Sequence, residues 1–166
     1  MSSALHVLGL SRRAGKLAIG EEAIHEAVSQ HSARLVVAAR DGAEKTLSRG
    51  EALCRREEVP WMAVPFSKEE LGGAVGRGVC AVMAVTDAGL AAAFARRMAE
   101  EDLRFAALAE ELDSRAQRAR ARQKARQAQK RAAEKRTRKP WAAPPSPDKG
   151  RQTGKKTGPK GTGRHP

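Results

Sequence analysis

Aromatic side chains are scarce in this chain of 166 residues, which holds three Phe, two Trp and no Tyr. Proteins that bind single-stranded RNA by stacking need exposed aromatic rings for the bases. Here Phe94 lies on an apolar helical stripe, and Trp61 lies in an apolar run that predicts a buried strand. Base stacking is therefore not the way in which we expect this chain to bind nucleic acid.

Cysteines, long apolar runs and catalytic patterns are also scarce. Cys54 and Cys80 are the two cysteines, and their apolar surroundings and lack of metal-ligand spacing predict buried, reduced thiols. No apolar run approaches the length of about 18 residues that spans a bilayer, and no cleavable leader is visible. The four histidines form no nucleophilic triad pattern. We therefore expect a cytoplasmic protein that is not an enzyme, with no catalytic residue, cofactor, metal or membrane segment.

Positive charge is concentrated at one end of the chain. Residues 1–113 carry 14 Lys/Arg and 17 Asp/Glu, whereas residues 114–166 carry 18 and 2. A near-neutral domain followed by a strongly basic segment is typical of proteins that bind nucleic acid or another polyanion.

Composition divides the chain into four regions. These are an α/β domain, an acidic helix extension, a segment rich in Arg, Lys, Ala and Gln, and a tail rich in Pro, Gly and Lys, at residues 1–99, 100–113, 114–139 and 140–166. The third region consists of strong helix formers but has no apolar face to pack, so we expect a transient helix. The fourth cannot bury a core, and we expect it to be disordered.

Apolar periodicity predicts helices that alternate with short strands. Apolar runs predict strands at residues 17–19, 35–39, 61–64 and 79–85. Ser67 with Glu70 forms a capping-box pattern, and Ser2, Ser3 and Thr86-Asp87 are further candidate helix caps. The order α-β-α-β-α-β-α-β-α predicts a three-layer α/β/α sandwich with a small mixed central sheet.

The stretch from Arg12 to Ala23 is the first candidate binding segment. Basic residues and Gly20 precede an amphipathic helix, and the free N–H groups at a helix start can receive phosphate or a nucleic-acid edge. The alternative is a plain turn in which Gly20 only supplies flexibility. Asp41-Gly42 and residues 75–79 are further loops that the topology can bring to the same edge of the sheet. The glycine-dense segment 72–78 follows a helix and so matches neither nucleotide-binding fingerprint.

An ordered set of short motifs resembles one family over residues 4–98. They are Leu8-Gly9-Leu10, Arg13-Ala14-Gly15-Lys16, Gly20-Glu21-Glu22, residues 33–41, Val59-Pro60, residues 67–72, residues 74–77 and residues 84–89. Together they resemble the kink-turn RNA-binding ribosomal-protein family (the L-seven-Ae group) and, within it, the bacterial YlxQ-like branch.

The resemblance implies a three-layer fold that binds kink-turns, which are sharply bent RNA duplex elements built on tandem sheared G·A pairs. It places Gly20 to Ala23 on the helix start that enters the widened major groove. It places residues 75–79 on the loop that covers the flipped-out nucleotide. The residues expected to contact RNA are Arg13, Lys16, Gly20, Glu21, Glu22, Arg40, Val75, Gly76, Arg77 and Gly78.

The helix start departs from the pattern Gly-x-Asn-Glu-x-Thr-Lys of the family's stronger RNA binders. Glu22 replaces the amide, Ala23 the following carboxylate and Glu26 the lysine. Loss of a charged hydrogen bond costs about 1.5–3 kcal/mol, so we expect weaker intrinsic affinity in this chain. Arg12, Arg13 and Lys16 would then supply the positive field, and phosphate contacts from the basic tail would offset the loss.

We therefore predict a monomeric, non-enzymatic ribonucleoprotein component that recognises structured RNA of ribosomal origin and that associates with the ribosome. The alternative is a protein-interaction module of the ribosome or the transcription-translation machinery, in which only the tail contacts RNA. A third interpretation is an RNA-modification enzyme, since the fold also resembles domains attached to RNA methyltransferases. The chain holds no methyltransferase segment, which argues against it.

Overall fold

The computed structural model describes residues 2–137, so the tail predicted to be disordered at 140–166 lies outside the described residues. The helices and strands follow the predicted order. They are α1 Ser3–Arg13, β1 Leu17–Ile19, α2 Glu21–Ser29, β2 Leu35–Ala38, α3 Glu44–Arg56, β3 Trp61–Ala63, α4 Lys68–Ala74, β4 Val82–Val85, α5 Ala88–Glu101, a short 3-10 turn Leu103–Phe105 and α6 Ala106–Thr137.

The four strands form one mixed sheet in the order β1-β4-β2-β3. β4 is antiparallel to both of its neighbours, and β2 is parallel to β3. Ile19 pairs with Met83, and Ala38 pairs with Val82. The carboxyl ends of β1, β2 and β3 therefore lie at the same edge as the start of β4. The loops that lead into α2, α3 and α4 share this edge with the loop between α4 and β4, as the topology predicted.

Each face of the sheet buries its own apolar core, because successive side chains of a strand point to opposite sides. Leu35 and Val37 pack with α1 and α5 in one core, whose largest buried side chain is Phe94. Val36 and Ala38 pack with α2 and α3 in the other core. The predicted three-layer α/β/α sandwich is confirmed.

Both cysteines are buried free thiols, as predicted. Burial, together with the nearby carboxylate of Glu51, raises the pKa of the Cys54 thiol to about 11. Burial also raises the pKa of the Cys80 thiol. Both side chains therefore act as neutral, small apolar groups at neutral pH.

The prediction of a strand from Val79 to Val85 was wrong at its start, since β4 begins at Val82. Val79 is 56% exposed, and the N–H of Cys80 donates to the carbonyl of Lys68 at the start of α4, at 2.8 Å. The backbone at residues 79 and 80 is thus directed to α4 instead of a neighbouring strand. We refer to residues 75–81 as the α4–β4 loop.

Gly72 allows this loop to fold back on α4. The N–H of Arg77 donates to the carbonyl of Gly72 at 2.7 Å. A Cβ at position 72 would lie 2.8 Å from the carbonyl oxygens of Arg77 and Gly78 and from the amide nitrogen of Val79. Backbone atoms cannot yield as a flexible side chain can, so the position requires glycine.

Within the described residues the chain divides into two units, residues 2–124 and residues 125–137. Within the first unit, α6 contributes Ala109, Leu112 and Ala116 to the core that contains Phe94. Residues 114–137, for which we expected a transient helix, are helical in the structure. Because the first turns of α6 are packed, the basic segment extends an existing helix and needs no nucleus of its own. No helix between residues 2 and 137 has the length and apolarity needed to cross a bilayer.

We predict that Leu112→Ala lowers the free energy of unfolding by about 2–5 kcal/mol, because it leaves a cavity in the core. Leu112 is 2% exposed, whereas Leu103 is 86% exposed. Leu103→Ala is the matched control and should change stability by less than about 0.5 kcal/mol. Urea unfolding of the full chain measures both values. Equal effects of the two substitutions would show that α6 does not belong to this core.

We further predict that Gly72→Ala destabilises the chain by about 1–3 kcal/mol, because the added methyl group overpacks the α4–β4 loop. A Cβ at the neighbouring Gly73, by contrast, meets nothing within 4 Å. Gly73→Ala in the same helix should be neutral or stabilising by up to about 1 kcal/mol. Thermal or urea unfolding compares the two variants. A Gly72→Ala variant as stable as Gly73→Ala would contradict the close packing of this loop.

Candidate RNA interface

Gly20 immediately precedes helix α2, and its φ of 104° and ψ of 150° are rarely adopted by residues with a side chain. No side chain caps this end of the helix. The carbonyl of Gly20 accepts from Ile24 N–H at 3.0 Å, so the backbone enters the helix directly. The first N–H groups of α2 have no partner within the helix and are available to an anionic or hydrogen-bond-accepting ligand.

A cleft of about 760 Å³ lies beside this helix start. Its walls come from the start of α2, one face of α3 and the α4–β4 loop. It is lined by Ile19, Gly20, Glu21, Ile24, His25, Thr46, Arg49, Gly50, Ala52, Leu53, Arg56, Arg77, Val79, Cys80, Ala81 and Val82. Gly20 and Glu21 thus meet Arg77 in one concave site, although about 55 residues separate them in sequence.

The wall formed by α3 was not predicted from the sequence. Thr46, Arg49, Leu53 and Arg56 line it at spacings of three, four and three residues, which place them on one face of the helix. The signal that could have pointed to it is the spacing of Arg49 and Arg56, which lie seven residues apart on a mostly exposed helix. This spacing becomes informative once the fold places both arginines opposite Gly20.

The cleft carries an excess of positive charge despite the acidic start of α2. Arg49, Arg56 and Arg77 line it, and Glu21 is the carboxylate among the lining residues. The guanidinium Nη1 of Arg49 lies 3.5 Å from Oε1 of Glu21. Arg49 therefore compensates the charge of Glu21 across the gap between α2 and α3.

The other acidic residues of α2 lie away from the cleft lining. Glu22 is exposed and has no ion-pair partner among residues 2–137. Glu26 accepts a hydrogen bond from Gln30 Nε2 at 3.0 Å. Ala23 is half-buried. Glu22 thus remains accessible to a ligand that approaches the helix start.

Arg13 and Gly76 meet at a second, smaller concavity. A groove of about 310 Å³ between α1 and α4 is lined by Leu5, His6, Gly9, Leu10, Arg12, Arg13, Ala74 and Gly76. Gly78 is exposed in the same α4–β4 loop, whereas Val75 is 4% exposed. Val75 therefore anchors the loop, and its side chain offers no contact surface for a large ligand.

Lys16 and Arg40 lie outside both concavities. Lys16 precedes β1, and its carbonyl accepts from Thr86 N–H beyond the end of β4 at 2.9 Å. It is therefore at the opposite end of β1 from Gly20, about 13 Å away at a rise of about 3.3 Å per residue. Arg40 is exposed after β2, at the same sheet edge as Gly20, and its N–H donates to the carbonyl of Phe66 at 3.0 Å.

Metal-binding groups are not clustered in the part of the chain that the structure describes. Between residues 2 and 137, no three His, Cys, Asp or Glu side chains lie close enough together to hold a metal ion.

Known proteins are similar to this chain in sequence and in fold. The model of the ribosomal protein L7Ae/L30e/S12e/Gadd45 family matches residues 2–95. The RNA-binding protein YlxQ of Bacillus subtilis (strain 168) is 33% identical over 85 residues, which cover 51% of this chain and 84% of that protein. A solved structure of a protein of unknown function from Bacillus halodurans matches with a TM-score of 0.56 and 30% identity, over 58% of this chain and 97% of the other. The resemblance drawn from the motifs is confirmed, and the chain belongs to the ribosomal protein L7Ae/L30e/S12e/Gadd45 family.

Proposed function

We propose that this protein binds a structured, kink-turn-like RNA of ribosomal origin at the cleft between α2, α3 and the α4–β4 loop. The observation that carries the proposal is that Gly20 and Arg77 line the same concave site, which has an excess of positive charge. Membership of the family and the likeness to an RNA-binding relative support RNA as the ligand.

In this proposal the N-terminus of α2 enters the major groove at the sheared G·A pairs. The free N–H groups beyond Gly20 donate to base edges or phosphates. The α4–β4 loop covers the flipped-out nucleotide, with Arg77 and Gly78 at its tip. The apolar side of the cleft, which includes Leu53 and Val79, receives the base, because contact with these side chains removes the faces of the unstacked base from water.

The exposed Glu22 sets the chemistry at the helix start. Its carboxylate accepts from a guanine edge but repels phosphate and cannot donate. Arg49, Arg56 and Arg77 supply the positive field in the cleft. Arg12, Arg13 and Lys16 lie outside the cleft lining, and we propose that they contact RNA backbone flanking the bend. Arg40, at the edge it shares with Gly20, adds a further backbone contact.

The basic segment at residues 114–137 strengthens RNA binding without sequence preference. Residues 114–137 form a helix with arginine, lysine and glutamine exposed on several sides. Each Lys or Arg that neutralises a phosphate releases condensed counterions, which gives salt-dependent affinity for any RNA. We propose that the protein acts as a monomer in the cytoplasm, within a ribonucleoprotein such as the ribosome.

A second candidate function is a protein-interaction module in which only the basic segment contacts RNA. The groove between α1 and α4 favours it, since Leu10 is 41% exposed beside Arg12 and Arg13. The two functions differ in whether the folded domain distinguishes one RNA shape from another.

We predict that the full chain binds a kink-turn duplex at least about tenfold more tightly than the same duplex with its sheared G·A pairs replaced by Watson–Crick pairs. Replacing base pairs in a specific site costs about 1–3 kcal/mol each, because groove width and base-edge contacts change together. Fluorescence anisotropy at fixed salt measures both affinities.

Equal affinity for the two RNAs would contradict shape recognition by the domain. It would favour the interaction-module alternative, because a basic segment alone senses phosphate density and not the bend.

A further inference from the structure

The face of α3 that lines the cleft carries two cations that are seven residues apart. Arg49 and Arg56 are therefore separated by about two helical turns, or about 10.5 Å along the axis. Leu53 lies between them on the same face, so an apolar strip separates the two charges. The arrangement suits a ligand with anionic groups on both sides of an apolar body.

The Arg49 guanidinium has a partner that it can exchange. Its pair with Glu21 spans two helices at 3.5 Å, and the two side chains are 62% and 70% exposed. Exposed pairs of this kind are weak, and the guanidinium keeps several free donors. Arg49 is thus held near the helix start and remains free to bind a phosphate there.

Arg56, at the other end of the apolar strip, also forms an exposed ion pair. Its Nε lies 3.0 Å from Oε1 of the neighbouring Glu57, and its side chain is 66% exposed. The terminal nitrogens of such a guanidinium stay available for a phosphate oxygen, and guanidinium–phosphate pairs are often bidentate.

We infer that α3 is the phosphate-binding wall of the cleft. Arg49 and Arg56 grip the RNA backbone on either side of the nucleotide that enters the cleft. Arg49 replaces the cation that α2 lacks at Glu26, and it exchanges its Glu21 partner for phosphate when RNA binds. This inference rests on the proposed function for its RNA ligand. It assigns phosphate binding to α3, which lies outside the helix-start and loop motifs.

The chain offers a matched control on the same helix. Arg55 is 79% exposed and pairs with Glu51 at 3.2 Å, and it is not among the residues that line the cleft. Arg49→Gln, Arg56→Gln and Arg55→Gln each remove one positive charge from α3. Any long-range effect of net charge is therefore equal in the three variants.

We predict that Arg49→Gln and Arg56→Gln in the full chain each weaken kink-turn RNA binding about tenfold, because each removes a charged hydrogen bond. Each should also reduce the slope of log K against log salt by about 0.7–0.9, as expected for one lost phosphate contact. Arg55→Gln should leave the affinity within about twofold and the slope unchanged. Anisotropy titrations at several salt concentrations provide both quantities.

A double-mutant cycle tests the exchange of partners. Glu21→Gln alone should tighten binding, since it removes a carboxylate that competes with phosphate for Arg49. The gain should be smaller in the Arg49→Gln background, because the competition is then absent. An equal gain in both backgrounds would refute the exchange.

The experiments distinguish a failure of the α3 inference from a failure of the proposed function. If Arg49→Gln and Arg56→Gln behave like Arg55→Gln while the wild-type chain still prefers the kink-turn, the α3 inference is wrong and kink-turn recognition stands. If the two variants lose affinity but the wild type binds both RNAs equally, α3 binds phosphate and kink-turn recognition is wrong.

Discussion

The antiparallel pairing of β4 between β1 and β2 is the constraint on which the rest of the structure depends. Because β4 runs against both neighbours, its first two residues pair with the last residues of β2 and β1. The helix start at Gly20 and the α4–β4 loop are therefore brought to one edge from distant parts of the sequence. A parallel β4 would place that loop at the opposite end of the sheet, and the cleft would not form.

Two glycines then shape the edge, each for a different reason. Gly20 adopts a positive φ that lets the backbone turn from β1 directly into α2. Gly72 lies so close to the backbone of the α4–β4 loop that a Cβ would collide with it. The first opens the helix start, and the second brings Arg77 and Val79 to the cleft. The chemistry of the site thus depends on backbone geometry as much as on side chains.

The electrostatics of the cleft emerge only from the folded structure. In the sequence alone, the start of α2 is unsuited to phosphate because it carries Glu21, Glu22 and Glu26. In three dimensions, Arg49 approaches Glu21 from another helix, and Arg56 and Arg77 complete a cationic wall. The acidic helix start is therefore part of a site with net positive charge, and α3 provides the balance.

The layers and most element boundaries were predictable, because they depend on local periodicity and caps. The capping box at Ser67 and the buried strand at Leu35 are examples. The late start of β4 was not predictable, since the apolar Val79 is exposed only because the loop folds onto Gly72 and Lys68. The Arg49–Glu21 pair was hidden for a similar reason: it is a contact between separate helices, and no pattern along the chain encodes it.

In our interpretation the cleft binds RNA, in addition to the basic segment at residues 114–137. Backbone amide chemical shifts of the isotope-labelled full chain, followed during titration with a kink-turn duplex, test it most directly. We predict the largest changes at Gly20 to Ala23, at Arg49 and Arg56 on α3, and at Arg77 to Val79. Changes confined to residues 114–137, with these amides unaffected, would contradict the account.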